Sequence, residues 1–305
     1  MKKIGFLGLG VMGLPMALNV LNKSGCPVIG FDVAQKQKDA FQKAGGTVTD
    51  DPVEIYKTCD VIMQMLPTHA TIINSIEQAI QYGKPGNIIL DLDSTAPEIL
   101  LDLYPKVEAA GMHLLDSPVS GGNPMAIAGT LAIMTGGKKE IFEEVKPLLE
   151  CMGHPVYTGG PTSGSITKLV NNMIAGAYLV AMAEGYAFAA KAGIDLQTTF
   201  DATRCGFAGG PLYDNKIPKL IKRDYEPGAR IAVHQKDIHN AKHYAHKLGV
   251  DLPMTDVVLH VMDWMEDNGY VNEDQIAMVK CYEVKMDASV GKATEAIRSC
   301  HSSAE

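Results

Sequence analysis

Apolar and polar positions along the first half of the chain fall into short blocks whose period switches back and forth. Ile4, Phe6 and Leu7 form a brief apolar run suited to a buried strand. A helical pattern follows, with Met12, Met16, Leu18 and Leu21 near one face and Gly25 placed to stop it. PVIGFD (27–32) predicts a second strand and residues 35–44 a helix. DVIMQMLP (60–67) predicts an apolar strand ending in a turn, and residues 70–82 another helix. NIILDLDST (87–95) predicts a strand and loop, with Pro97 set for the first turn of the next helix. HLLDSPVSGG, TLAIMTGG and PVYTGG add strands with glycine-rich exits. Apolar strands separated by helices predict an α/β fold, a doubly wound Rossmann-type sheet that is mostly parallel and takes ligands at the carboxyl ends of its strands.

Near Gly160 the pattern changes. Residues 163–194 read as one long helix, apolar on nearly every face and therefore expected to be buried, as a spine between two domains. Beyond it strand signals vanish, and amphipathic helical stretches run to about Val290. The expected division is a dinucleotide-binding domain over 1–162 and an all-helical domain over 163–305, with the polar tail 298–305 expected to fray.

Composition narrows the partners. With 46% hydrophobic and 20% charged residues, the 305-residue chain has ordinary globular composition. A net charge of −8 supplies no basic field for nucleic acid or an anionic membrane. The cysteines (26, 59, 151, 205, 281 and 300) are scattered without a C-x-x-C pair, which argues against a zinc ribbon or disulfide framework and for a reducing compartment. The N-terminus runs straight into the first strand, leaving no room for a removable leader, and the apolar runs are interrupted or too short to span a bilayer. The expectation is a soluble cytoplasmic protein.

The candidate chemistry begins at the first turn. Gly8, Gly10 and Gly13, with Leu9, Val11 and Met12 between them, have G-x-G-x-x-G spacing between a strand and a helix. Such a turn lets a pyrophosphate approach the backbone and meet the N–H groups of the helix start. Asp32, nineteen residues past Gly13, ends the second strand, where a carboxylate accepts from both ribose hydroxyls of NAD and repels the 2′-phosphate of NADP. Its alternative role is to cap the following helix. Leu66-Pro67 and Ser94-Thr95 follow strands and are candidates for the nicotinamide half, or plain turns. Ser120, Gly121 and Gly122 can hold a carboxylate through backbone N–H groups and a hydroxyl, or simply end a strand. Lys168, Asn171 and Asn172 lie early in the long helix, and Lys168 shares a face with Asn172. A lone helical lysine is usually solvated, but one on a buried helix must reach a cleft or a partner, which makes Lys168 a candidate general acid. Lys236-Asp237 reads as a common surface pair. His239, His243 and His246 have helical spacing but lack the H-E-x-x-H glutamate, so a solvated face is expected there, and no metal.

These pieces resemble the β-hydroxyacid dehydrogenases. The resemblance covers residues 2 to about 290 and rests on GFLGLGVMGLPMA, on DSPVSGG followed by AGTLAIMTGG, on GSITKLVNNMI and on HQKD. Within the family, FAGGPLYDNKIPKLIKRDYEPGARI and VHQKDIHNA look most like members that reduce tartronate semialdehyde. It implies NADH-linked, metal-free reduction of a small carboxylate-bearing semialdehyde to the 3-hydroxy acid. Lys168 would be the acid/base, Asn172 would orient substrate with Asn171 supporting, and Ser120, Gly121 and Gly122 would grip its carboxylate. Gly8 to Gly13, Asp32, Leu66, Pro67, Ser94 and Thr95 would line the NAD site. Lys236 would approach the cofactor from the second domain, supported by Asp237. Homodimers or homotetramers through the helical domain are implied too. Rival readings are sibling enzymes acting on 3-hydroxyisobutyrate, methylmalonate, succinic or sulfolactate semialdehydes, a 6-phosphogluconate dehydrogenase, and, from another class, a silent dinucleotide-binding sensor. Asp93 stands where relatives carry a small residue, and Cys205 with Gly209-Gly210 falls in the loop relatives use for substrate choice.

Overall fold

The structure is a computed structural model that describes residues 2–291. The chain divides into two compact units, the first ending at Leu169 and the second beginning at Val170. Cys300 and the tail 298–305 lie outside the described residues.

In the first unit the elements run β1 (Ile4–Leu7), α1 (Gly13–Lys23), β2 (Val28–Phe31), α2 (Gln35–Lys43), β3 (Thr47–Val48), α3 (Pro52–Thr58), β4 (Val61–Gln64), α4 (His69–Tyr82) and β5 (Ile88–Asp91). They continue with α5 (Pro97–Ala109), β6 (His113–Asp116), β7 (Val119–Ser120), α6 (Gly122–Ala128), β8 (Leu131–Gly137), α7 (Lys139–Glu150) and β9 (Gly153–Gly159). The sheet order is β3-β2-β1-β4-β5-β6-β8-β7, with β9 beside β8. From β3 through β6 every pairing is parallel; β8 runs antiparallel to β6 and β7. The central strands are mostly apolar because helices cover both faces, with polar residues only at strand ends such as Gln64, Asp91, His113 and Asp116. Ile4, Phe6, Val61, Met63, Ile88 and Leu90 pack on one side with Met16 and Val20 of α1 and Phe142 and Val145 of α7. Leu7, Ile62 and Ile89 face the other way, against Ile55 of α3, Ile72 and Ile76 of α4, and Leu100 and Leu103 of α5. The period-two alternation of strand side chains produces this split. Between β2 and β4, β1 marks the point where the strand order reverses, and such a reversal opens a crevice at the carboxyl ends.

One helix, α8 (Ser163–Lys191), belongs to both units. It ends three residues short of the expected limit because Gly193, at φ 75°, takes the left-handed conformation and the Ile194 N–H turns back to the Ala189 carbonyl at 3.0 Å. The expectation of burial on every face fails. Leu179, Met182, Ala183 and Tyr186 are buried, whereas Val170, Ile174 and Phe188 are 49%, 66% and 66% exposed. The expectation that no run suits a bilayer also needs correction: by length and a mean hydropathy of 1.4 the helix is apolar enough, and half of that stretch is buried within the protein.

The second unit continues with α9 (Leu196–Thr203), α10 (Pro211–Lys222), α11 (Ile231–Lys247), α12 (Pro253–Asp267), a 3-10 turn at Gln275–Met278 and α13 (Val279–Met286). Its core joins Phe200, Tyr213, Ile217, Ile238, Val258 and Met262 to the buried face of α8. Inside it Lys216 donates to both oxygens of Asp274 at 2.7 and 2.9 Å.

Candidate active site

The glycine turn is shaped by close approach. Gly8, at φ 89°, sits where a Cβ would come within 2.1 Å of the Met65 carbonyl oxygen. A Cβ on Gly13 would lie 1.9 Å from the Gly8 oxygen. At Gly10 a Cβ would meet nothing within 4 Å, and Val11 beside it is 72% exposed. The turn therefore packs tightly against β4 while its middle stays open, and it leads into the amino end of α1, whose first N–H groups lack intrahelical partners. Asp32, directly after β2, accepts from the Leu9 N–H at 2.7 Å and from the Ala34 N–H at 2.8 Å. The helix cap offered as its alternative is not formed, because Ala34 is the N-cap of α2 and no side chain caps it; the bond from the Ala34 N–H closes the turn before the helix. An open glycine turn, a helix start and an aligned carboxylate at the end of the next strand fit the pyrophosphate and ribose of a nicotinamide dinucleotide.

The neighbouring turns are anchored from below. The Leu66 N–H reaches both oxygens of Asp93 at 2.9 Å, so the buried Asp93 fixes the Leu66-Pro67 turn. Thr68 closes that turn by capping α4 in a reciprocal box with Thr71. Ser94 is half-buried, whereas Thr95 is 2% exposed, so the two candidate hydroxyls differ in access. Asp91, beneath them, accepts from Gln64 Nε2 at 3.0 Å, and burial raises its carboxyl above the usual range.

Ser120 ends β7, and Gly121 and Gly122 follow at φ 138° and 67°, conformations that favour glycine. Asn123, which the sequence did not single out, donates to the Val11 carbonyl at 2.6 Å and ties this turn to the glycine turn. Lys168, on the second turn of α8, is 9% exposed. A buried lysine must be aimed at a polar group or a reacting atom.

In the second unit, Asn172 donates to Asp237 at 2.7 Å, Asp237 pairs with Lys236 at 3.2 Å, and Asn171 donates to the Asn172 side chain at 2.9 Å. The pair Lys236-Asp237 is thus part of a network rather than a plain surface pair. His234, another residue the sequence reading passed over, is 4% exposed. The Gln275 amide nitrogen lies 3.0 Å from its Nδ1, so Nδ1 accepts and Nε2–H donates to the Asn172 carbonyl at 2.8 Å. His239 approaches Asp263 at 3.6 Å.

Residues 3–160 match the family model of the NAD-binding domain of 6-phosphogluconate dehydrogenase. Residues 162–282 match that described as NAD-binding of NADP-dependent 3-hydroxyisobutyrate dehydrogenase. The chain belongs to the β-hydroxyacid dehydrogenase family. Among its relatives, the 2-hydroxy-3-oxopropionate reductase of Escherichia coli K12 is 32% identical over 291 residues, covering 92% of this chain and 97% of that protein. The 2-(hydroxymethyl)glutarate dehydrogenase of Eubacterium barkeri is 31% identical over 295 residues, covering 94% and 97%. The solved 3-hydroxyisobutyrate dehydrogenase of Mycobacterium tuberculosis with L-serine is 27% identical, with a TM-score of 0.83 over 92% of this chain and 99% of that one. This family member is accordingly an oxidoreductase dependent on a nicotinamide dinucleotide, and its relatives are named for different hydroxy acids.

Proposed function

We propose that the enzyme reduces a small carboxylate-bearing semialdehyde with NADH, tartronate semialdehyde to glycerate being the favoured pair, and runs reversibly on the 3-hydroxy acid. The bound dinucleotide supplies or accepts the hydride at the carbonyl carbon. Lys168 holds the carbonyl oxygen and gives it a proton as negative charge develops there, a role that needs no metal. Asn172, one turn further along α8, orients the substrate, and its amide is itself held by Asp237. Ser120, Gly121 and Gly122 grip the substrate carboxylate through N–H groups and a hydroxyl. Asp32 favours NADH, and Val33 after it, 92% exposed, offers no cation to a 2′-phosphate.

The observation that carries this reading is Lys168 itself, a buried lysine in a family of hydride-transfer enzymes. Its presence also weighs against the silent-sensor alternative. The E. coli reductase, at 32% identity, is one relative consistent with tartronate semialdehyde, alongside relatives of similar identity named for other hydroxy acids. Five free cysteines among the described residues agree with a reducing, cytoplasmic setting. The exposed Val170, Ile174 and Phe188 of α8 support a homodimer or homotetramer through the helical unit.

The test is Lys168→Ala, assayed with a panel of C3–C4 semialdehydes and with NADH and NADPH. General acid catalysis contributes about 10²–10⁴-fold, so kcat should fall by roughly three orders of magnitude while NADH affinity by fluorescence titration hardly changes. A folded mutant retaining more than about a tenth of wild-type kcat removes Lys168 from the chemistry. A wild type inactive on every semialdehyde in the panel removes the substrate class.

A further inference from the structure

A buried polar row crosses the carboxyl edge of the sheet. Gln64 on β4, Asp91 on β5 and Asp116 on β6 are successive cross-strand partners, and each is 0% exposed. Asp116 ends the row beside the start of α8. Its Oδ1 accepts from the Thr162 N–H at 3.1 Å and its Oδ2 from the Ser165 N–H at 2.7 Å. The Tyr104 hydroxyl donates to Oδ1 at 2.5 Å and in turn accepts from the Asp116 N–H at 3.2 Å. Thr162 holds φ 70°, unfavourable for a residue with a side chain, and the bond to Asp116 helps keep it there. The Ser163 hydroxyl, which could otherwise cap locally, pairs with Thr158 at 2.9 Å.

Two glycines make the junction possible. A Cβ on Gly136 would lie 2.6 Å from Asp116 Oδ1, and one on Gly164 would lie 2.4 Å from the Asp116 carbonyl oxygen and 2.9 Å from Oδ2. Strand and helix therefore meet backbone to carboxylate, with no side chain between them. The helix turn seated this way is followed at once by the one that bears Lys168.

We infer that Asp116 is a positioning residue for the reaction: from the end of β6 its carboxylate caps α8 and fixes the turn that presents Lys168. Ser165 and Lys168 are three residues apart on one helix, so a shift of the first turn moves the lysine with it. The inference rests on the reading of Lys168 as the acid. Misplacing a reacting group by about 1 Å can lower a rate by about 10²-fold, and this sets the scale of the expected effect.

The experiment is a cycle of four proteins: wild type, Asp116→Ala, Lys168→Ala and the double variant. Each is assayed for kcat on the reactive semialdehyde and for NADH dissociation by fluorescence. Asp116→Ala should lower kcat about 10–100-fold with the NADH dissociation constant within about twofold of wild type. In the Lys168→Ala background the same change should alter kcat less than about twofold, because there is no lysine left to place. A structural defect would instead lower kcat equally in both backgrounds, and that result overturns the inference. So does an Asp116→Ala enzyme with wild-type kcat when Lys168→Ala has collapsed. A Lys168→Ala enzyme that keeps its turnover overturns the acid assignment itself, and is told apart because it shows in that single variant alone. Should Asp116→Ala fail to fold, Asp116→Asn carries the same cycle, retaining one acceptor oxygen, with an expected fall of about 5–20-fold.

Discussion

Asp116 in the sheet unit and Asp274 in the helical unit are both fully buried and both accept backbone N–H groups, yet their carboxyls are shifted in opposite directions. Burial pushes the Asp116 carboxyl up to about 6, although bonds from Tyr104, Ser165 and Thr162 pull it down. Burial acts the same way on Asp274, but the Lys216 ammonium and the Ile276 N–H hold it below the usual carboxylate range. Burial also pulls Lys216 down; with the ammonium on both carboxylate oxygens, the ionised pair is the state the geometry favours. Neutral donors alone do not offset the desolvation of a carboxylate, whereas a full counter-charge does. One unit thus keeps a titratable group at the carboxyl edge of its sheet, and the other locks an ion pair into its core.

The largest effect expected from this contrast is on stability. Lys216→Met removes the nearer counter-charge and leaves Asp274 only the more distant Lys219, at 3.7 Å, so unfolding in urea should show a loss of about 3 kcal/mol. Turnover per folded molecule should stay at the wild-type level, since Lys216 lies outside the proposed chemistry. A change below about 1 kcal/mol would mean that the hydrogen bonds and Lys219 together suffice for Asp274, and Lys216 would no longer set the contrast with Asp116.

A second effect has a definite sign. The folded pKa of Asp116 lies above its unfolded value, so between about pH 4 and pH 6 the folded state holds more protons. Stability from this group is therefore greatest at the acid end of that window and declines as pH rises through it. A shift from 3.8 to about 6 corresponds to roughly 3 kcal/mol at most. The difference in unfolding free energy between wild type and Asp116→Asn, measured from pH 4 to pH 7, should fall by an amount of that order and then level off. A flat difference would return Asp116 to the ordinary carboxylate range.

The smallest effect sharpens the picture of the sheet edge. Asp32→Ala should reduce a preference for NADH over NADPH of about tenfold, about 1.4 kcal/mol, towards equality. It also removes the acceptor of the Leu9 and Ala34 N–H groups, so NADH itself should bind more weakly. A wild type that prefers NADPH would exclude a ribose role for Asp32.

Part of this was legible along the chain. Strand and helix periods, the glycine turn, Asp32 at the end of a strand and the change of texture near Gly160 are local signals, set by sterics and side-chain direction within a few residues. Gly193 carried a stop signal for α8, but the single apolar Ile194 after it drew the expected helix past its end.

The sequence by itself determined a dinucleotide-type sheet followed by helices, and the lysine and glycines on which the proposed chemistry depends. Tertiary structure decided how those residues are held. Asp32 meets Leu9 across 23 positions, Leu66 meets Asp93 across 27, Asp116 meets Ser165 across 49, Asn172 meets Asp237 across 65 and Asn123 meets Val11 across 112. Tertiary structure also decided that α8 buries one face and exposes Val170, Ile174 and Phe188, because an apolar side chain states a preference for burial and not which neighbour will cover it. Periodicity reports which way a side chain points along its own element; the partner it meets depends on how the sheet orders its strands and where each helix is capped.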